Sequence, residues 1–101
     1  MVQEKPLESK IQSDIIKWLK RRPNTFSYKH CPDPKGMPDI HHIERGHSFH
    51  FEVKRTVKDK ARYIQKLRIK KLRQAGATAK VVRSLDEVKK IVRDHLSITK
   101  G

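Results

Sequence analysis

Hydrophobic and polar residues alternate with two different periods along this chain, and the switches between them outline its elements. Ile11, Ile15, Trp18 and Leu19 recur at helical spacing and predict an amphipathic helix over about 6–22. Pro6 suits its first position, where the N–H that proline lacks has no helical partner, and Pro23-Asn24 ends it. Over 25–30 the period falls to two, with Phe26 and Tyr28 on one face of a short strand. Pro32, Pro34, Gly36 and Pro38 then make 32–38 a loop that cannot sustain regular structure. Strands follow over 39–44 and 48–55, joined around Arg45-Gly46-His47. In the second, Phe49, Phe51 and Val53 alternate with His50, Glu52 and Lys54. A helix is expected over about 59–75, closed by Gly76 in a left-handed cap. A mostly buried strand over 77–83 carries Ala79, Val81 and Val82. Ser84 begins a last helix, with Glu87 at capping-box spacing and Val88, Ile91 and Val92 on its inner face.

The order α-β-β-β-α-β-α predicts an α/β fold, a mixed sheet with helices packed on it. No repeat and no domain boundary interrupts the pattern. Residues 1–101 therefore read as a single domain of ordinary size, with its core over about 6–96.

Charge narrows the function. The chain has 25 Lys+Arg against 11 Asp+Glu, a formal net charge of +14. That excess repels itself, and a polyanion relieves the repulsion. Nucleic acid is the usual one. An anionic membrane is the competing partner, but there is no basic amphipathic anchor, no apolar run of about 18 residues and no signal-peptide core. The lone Cys31 excludes an internal disulfide framework and fits a reducing cytoplasm. The helix over 59–75 concentrates Lys60, Arg62, Lys66, Arg68, Lys70, Lys71 and Arg73 against Asp59 alone. Phosphate contact is a better reading of that face than salt-bridged display. Trp18 and Tyr63 read as core or rim aromatics rather than base-stacking platforms.

Candidate chemistry follows from the hairpin. If Arg45-Gly46 is a two-residue loop, Glu44 opposes His47 and Asp39 opposes Glu52; a three-residue loop would instead set Asp39 beside Val53. Directly opposed residues have Cβ atoms roughly 4.5–5.5 Å apart. Two carboxylates that close repel unless a cation lies between them, and Mg²⁺ binds through one or two carboxylates while keeping several waters. Lys54 lies on the same strand face as Glu52, where an ammonium can orient a metal-bound water or neutralise charge developing on a phosphate. Acid-x-Lys also occurs at Glu8-Ser9-Lys10, Asp33-Pro34-Lys35 and Glu87-Val88-Lys89. Only Glu52-Val53-Lys54 lies on a strand with a Pro-Asp pair on the strand before it, so context selects it. Glu8 lines up with the buried stripe of the first helix. It either meets a metal or metal-bound water there, or sits at the rim of the helix start, favoured by the dipole. His41, His42, His47 and His50 crowd the hairpin. His47 and His50 would point to opposite strand faces, which disfavours zinc and leaves one of these histidines to touch DNA.

Together these residues resemble the VRR-NUC family, a branch of the PD-(D/E)xK nucleases. The likeness is carried by Glu8 on the first helix, Gly36-Met37-Pro38-Asp39, Glu52-Val53-Lys54, Gln65 ahead of Gly76, and Val81-Val82-Arg83-Ser84. It spans about residues 8 to 92. The resemblance implies a restriction-endonuclease-like αβββαβ core followed here by a C-terminal helix. It also implies a Mg²⁺ or Mn²⁺ site from Asp39, Glu52 and the Val53 carbonyl, with Lys54 at the attacking water and Glu8 and Gln65 completing the site. One departure is that 58–63 lacks the Gly- or Ser-containing turn expected ahead of the glutamine. The expectation is a metal-dependent, structure-selective DNA endonuclease, with Lys60, Arg62, Lys66, Lys70 and Arg73 on the DNA. Stand-alone members of the family imply a homodimer that resolves four-way (Holliday) junctions in the cytoplasm of a bacterial or phage-infected cell. The runner-up is a basic nucleic-acid-binding module whose acids are structural. A ribosome- or RNA-associated basic protein explains the charge but leaves the placement of Asp39, Glu52 and Lys54 to coincidence.

Overall fold

In the computed structural model, which describes residues 7–30, 36–56, 58 and 60–99, the chain forms the α/β order read from its pattern. Its elements are α1 (Glu8–Lys20), β1 (Thr25–Lys29), β2 (Ile40–Glu44), β3 (His47–Val53), α2 (Tyr63–Gln74), β4 (Thr78–Val82) and α3 (Leu85–Thr99). Pro6, Cys31, the first half of the proline loop and Asp59 lie outside the described residues.

The four strands form one sheet in the order β1-β2-β3-β4. The first three are antiparallel, and β4 runs parallel to β3. A parallel neighbour requires a crossover, and α2 supplies it. Arg45 and Gly46, with φ of 53° and 75°, make the two-residue turn between β2 and β3. Two left-handed residues match the twist of a tight hairpin, and Glu44 pairs with His47.

One sheet face carries the core. Ile11, Ile15 and Leu19 of α1 and Val88, Val92 and Leu96 of α3 bury Ile40, Phe49, Phe51, Val53 and Val82. Trp18 sits at the rim, with the Arg22 guanidinium 4.9 Å and the Arg93 guanidinium 5.8 Å from its ring centre. α3 opens as expected, the Glu87 N–H donating to Ser84 Oγ at 3.2 Å.

Two details depart from the pattern. α2 begins at Tyr63 rather than near 59, because Arg62 is extended (φ −68°, ψ 161°) and donates its N–H to Gln65 Oε1 at 2.8 Å. Lys60 and Arg62 thus precede the helix. On β1 it is the polar Ser27 that is buried, while Phe26 and Tyr28 face outward. Ser27 Oγ meets His42 Nδ1 at 2.6 Å, His42 Nε2 meets Glu44 Oε1 at 2.8 Å, and Arg22 clasps both Glu44 oxygens at 2.7 and 2.9 Å. Every member of this buried string is satisfied, so it can replace apolar packing beneath β1 and β2.

Candidate active site

The β2–β3 register pairs Ile40 with Phe51, so Asp39, one residue before β2, stands across from Glu52. Two backbone bonds hold Asp39: the Val53 N–H donates to its Oδ2 at 2.9 Å, and its carbonyl accepts the His30 N–H at 2.6 Å. The preceding Gly36 has φ +77°, and a Cβ there would lie 2.8 Å from the Ile64 side chain of α2. Glycine is therefore what lets the Gly36-Met37-Pro38-Asp39 turn approach the start of α2. One residue beyond Ile64 is Gln65.

Glu52 is 2% exposed. Its Oε2 accepts a hydrogen bond from Gln65 Nε2 at 2.9 Å and lies 3.4 Å from Lys54 Nζ. Its Oε1 is buried and, among the described residues, has no hydrogen-bond partner. Burial first, and then the negative charge of Asp39, push the Glu52 carboxyl up to about 7, against the pull of Lys54. Such a pair, with an orphaned acceptor on Glu52 and a lysine beside it, fits a hard divalent cation. Among the described residues no group of three or more His, Cys, Asp and Glu side chains gathers as a cage. A cation here would rest on Asp39, Glu52, backbone oxygen and water, a donor set that Mg²⁺ accepts.

The structure thus brings together Asp39, Glu52, Val53, Lys54 and Gln65. Glu8 is half-buried in the first turn of α1, and among the described hydrogen bonds and ion pairs none joins it to the pair. Lys66, Lys70 and Arg73 line one side of an open cleft of ≈ 560 Å³, with Ile69, Lys80 and Val81. Val81 pairs with Glu52 across β3 and β4, so this basic cleft begins beside the carboxylates. Lys60 and Arg62 are exposed ahead of α2. Lys80 escaped notice because it lies in a strand that reads as buried, and only its edge position frees it. Tyr63 is 80% exposed and so belongs neither to core nor to rim.

The histidines divide by strand parity. His42 and His47 take the core face, where His47 stacks on His95 with ring centres 3.8 Å apart. His41 and His50 take the face of Asp39 and Glu52, their Nδ1 atoms 2.6 Å apart, with Ser48 Oγ on His50 Nε2 at 2.8 Å. Burial and then neighbouring histidines lower both, His50 to about 4, so both rings are neutral at neutral pH. Burial alone is enough to disfavour the imidazolium there.

Sheet order and crossover define a restriction-endonuclease-like α/β fold. More particularly, it is the VRR-NUC fold. A solved structure described as a VRR_NUC domain protein superposes with a TM-score of 0.76 at 20% identity, covering 93% of this chain and 91% of its own. A second, described as a VRR_NUC domain, gives 0.71 at 24% identity over 85% of this chain and 94% of its own. No family model matches the sequence, and no curated protein does. Among the described residues no helix is long and apolar enough to cross a membrane.

Proposed function

We propose that this chain is a divalent-metal-dependent endonuclease that hydrolyses phosphodiester bonds in DNA, with branched DNA such as four-way junctions as its preferred substrate. The observation that carries this reading is the buried Glu52, raised to about 7 and facing Asp39, with one carboxylate oxygen lacking a partner among the described residues. Structural carboxylates are normally satisfied, and a shifted acid beside another acid marks a functional site.

Asp39, Glu52 and the Val53 carbonyl would hold Mg²⁺ or Mn²⁺, which supplies a water of lowered pKa and charge stabilisation at the phosphoryl oxygens. Lys54 places its ammonium 3.4 Å from Glu52, where it orients the attacking water and neutralises charge on the phosphate. Gln65 fixes the rotamer of Glu52 through the bond at 2.9 Å. Lys66, Lys70 and Arg73 draw the DNA backbone along their cleft, and Lys60 and Arg62 extend that surface ahead of α2. Glu8 enters as a further acid through the family resemblance alone. So do the homodimer and the junction preference, since two sites related by a two-fold axis suit paired incisions.

The test is cleavage of linear, flap, fork and four-way-junction DNA by wild type, Asp39→Asn and Glu52→Gln, with Mg²⁺ and in chelator. Cutting by wild type only in Mg²⁺, greatest on the junction, with both variants binding but not cutting, is the expected result. Cutting by either variant would remove the site assignment. Binding without cutting under any metal would favour the non-catalytic module.

A further inference from the structure

β1 turns its aromatic side chains away from the core. Phe26 is 62% and Tyr28 45% exposed, and Ile43 beside them on β2 is 46% exposed. Register places all three on the face of the carboxylates: Phe26 pairs with Ile43, Tyr28 with His41, and His41 with His50. Ring geometry agrees. Tyr28 stacks on His41 with ring centres 4.9 Å apart, and His41 meets His50 edge-on at 4.8 Å. Asp39 lies two residues before His41 and Glu52 two beyond His50. With strands about 4.8 Å apart and a rise of about 3.3 Å per residue, Tyr28 stands roughly 8–12 Å from the pair. That is the span of a few nucleotides of one strand, stacked at about 3.4 Å each. α2 reaches the β4 side of this face, where Gln65 meets Glu52, and leaves the β1–β2 side open.

The occupant can be argued from area and charge. An aromatic side chain buries about 150–250 Å² when fully covered, so three half-exposed side chains offer roughly 300 Å² between them. A stable protein partner, a second copy included, requires about 800 Å². Intact duplex hides its base faces and gives exposed rings little to stack on. Unpaired bases match in size and shape, and their anionic backbone meets, among the described residues, no exposed strand acid beside the rings. Glu44, the acid of β2, is buried on the other face against Arg22, so among the four strands only the Asp39–Glu52 pair brings acids to the face of the rings.

We propose that Phe26 and Tyr28 form a stacking platform for unpaired nucleobases next to the scissile phosphate. The proposal rests on the nuclease reading for the identity of the partner and deepens it. Selectivity for branched DNA then arises because only a flap or junction point can lay an unpaired base on the rings while its phosphate lies at Asp39 and Glu52. Base–aromatic stacking tolerates any sequence, so the platform reads structure and not letters.

The experiment is binding in chelator, so that catalysis plays no part. Blunt duplex and the same duplex carrying a short flap with 2-aminopurine are titrated by fluorescence, with wild type, Phe26→Ala, Phe26→Leu, Tyr28→Ala and the ring-retaining Phe26→Tyr. Wild type should prefer the flap and quench the 2-aminopurine. Loss of either ring should weaken flap binding on the order of tenfold, leave duplex binding unchanged and abolish quenching, while Phe26→Tyr stays close to wild type. Phe26→Leu retains an apolar side chain, so its loss of quenching reports the ring and not the fold. Equal weakening on both DNAs, or none, would overturn the platform. So would variants that turn a dimer into a monomer by sedimentation without losing quenching, which would make the patch a self-association surface. Loss of flap preference in a chain that cuts no DNA would keep the platform and remove the nuclease.

Discussion

Glu52 carries opposed demands: buried beside Asp39 it resists ionisation, and a metal site needs it ionised. Its carboxyl is raised from 4.5 to about 7, so the folded state holds a proton that the unfolded state has released over that interval. Its charge therefore costs stability progressively as pH rises from 4.5, in full above 7. Glu52→Gln removes that cost while keeping the shape and the bond to Gln65. In chelator at pH 8 this variant should melt several degrees above wild type, on the order of 1–3 kcal/mol, with the advantage shrinking toward pH 5. Mg²⁺ should raise the melting temperature of wild type but not of the variant. Calorimetry across pH decides it, and a variant that melts lower at pH 8 would make Glu52 a structural acid. In sequence, Gln65 is an ordinary helix residue that only a resemblance promotes. Its reach to Glu52 across the crossover gives it a physical role.

Among elements, the packing of the Gly36 turn on α2 is the feature on which the site depends. Gly36→Ala forces a left-handed φ on a residue with a Cβ and drives that Cβ to 2.8 Å from Ile64. We expect a loss on the order of 2–4 kcal/mol in urea unfolding, and slower cleavage because Gln65 moves with Ile64. Unaltered stability would show that the turn can relax without α2. The outer side of the same helix carries the proposed DNA contacts. Reversing Lys66, Lys70 and Arg73 to Glu should weaken binding to every DNA sequence alike. It should also flatten the dependence of log K on log[salt] by about 0.9 for each phosphate that the helix no longer neutralises. Anisotropy over a salt series measures it, and an unchanged slope would turn this face away from DNA. The cationic run is plain in the sequence. That its cleft opens beside Glu52 follows only from the pairing of β3 with β4.

For the molecule as a whole, the histidines govern stability in acid. His41, His42, His47 and His50 all lie below their ordinary value of 6.5, burial being the first cause in each. Between their folded values and 6.5 the unfolded chain binds more protons, so stability is complete above 6.5 and falls as pH drops. For Glu44, burial opposes the charge, but the hydrogen bonds from Arg22 and His42 outweigh it and lower the carboxyl. Its contribution is present above 4.5 and lost below. The two effects reinforce one another. The melting temperature should decline from pH 6.5 to pH 4.5 more steeply than one proton allows, even though Glu52 works in the opposite direction. His42→Gln should make the decline shallower. A melting temperature that holds constant over that interval would mean the buried rings can be charged at no cost.

Periodicity by itself determined the seven elements, the α/β class and the alternation of β3, because burial of one face selects residues at fixed intervals. The sequence left the loop around Arg45-Gly46 open between two and three residues; the two left-handed residues of the folded turn decided the register, and with it the opposition of Asp39 and Glu52. Tertiary structure decided what periodicity cannot express. The start of α2 depends on Gln65 being held by Glu52, thirteen residues back. Which histidines face the carboxylates depends on which sheet face α1 and α3 cover. Ser27 goes inward and Phe26 outward because Arg22, His42 and Glu44, distant in sequence, meet beneath β1 and offer a hydroxyl the partners that a phenyl ring cannot use. Local pattern records which residues share a face, whereas partners brought from elsewhere in the chain decide whether that face is core, catalytic or open.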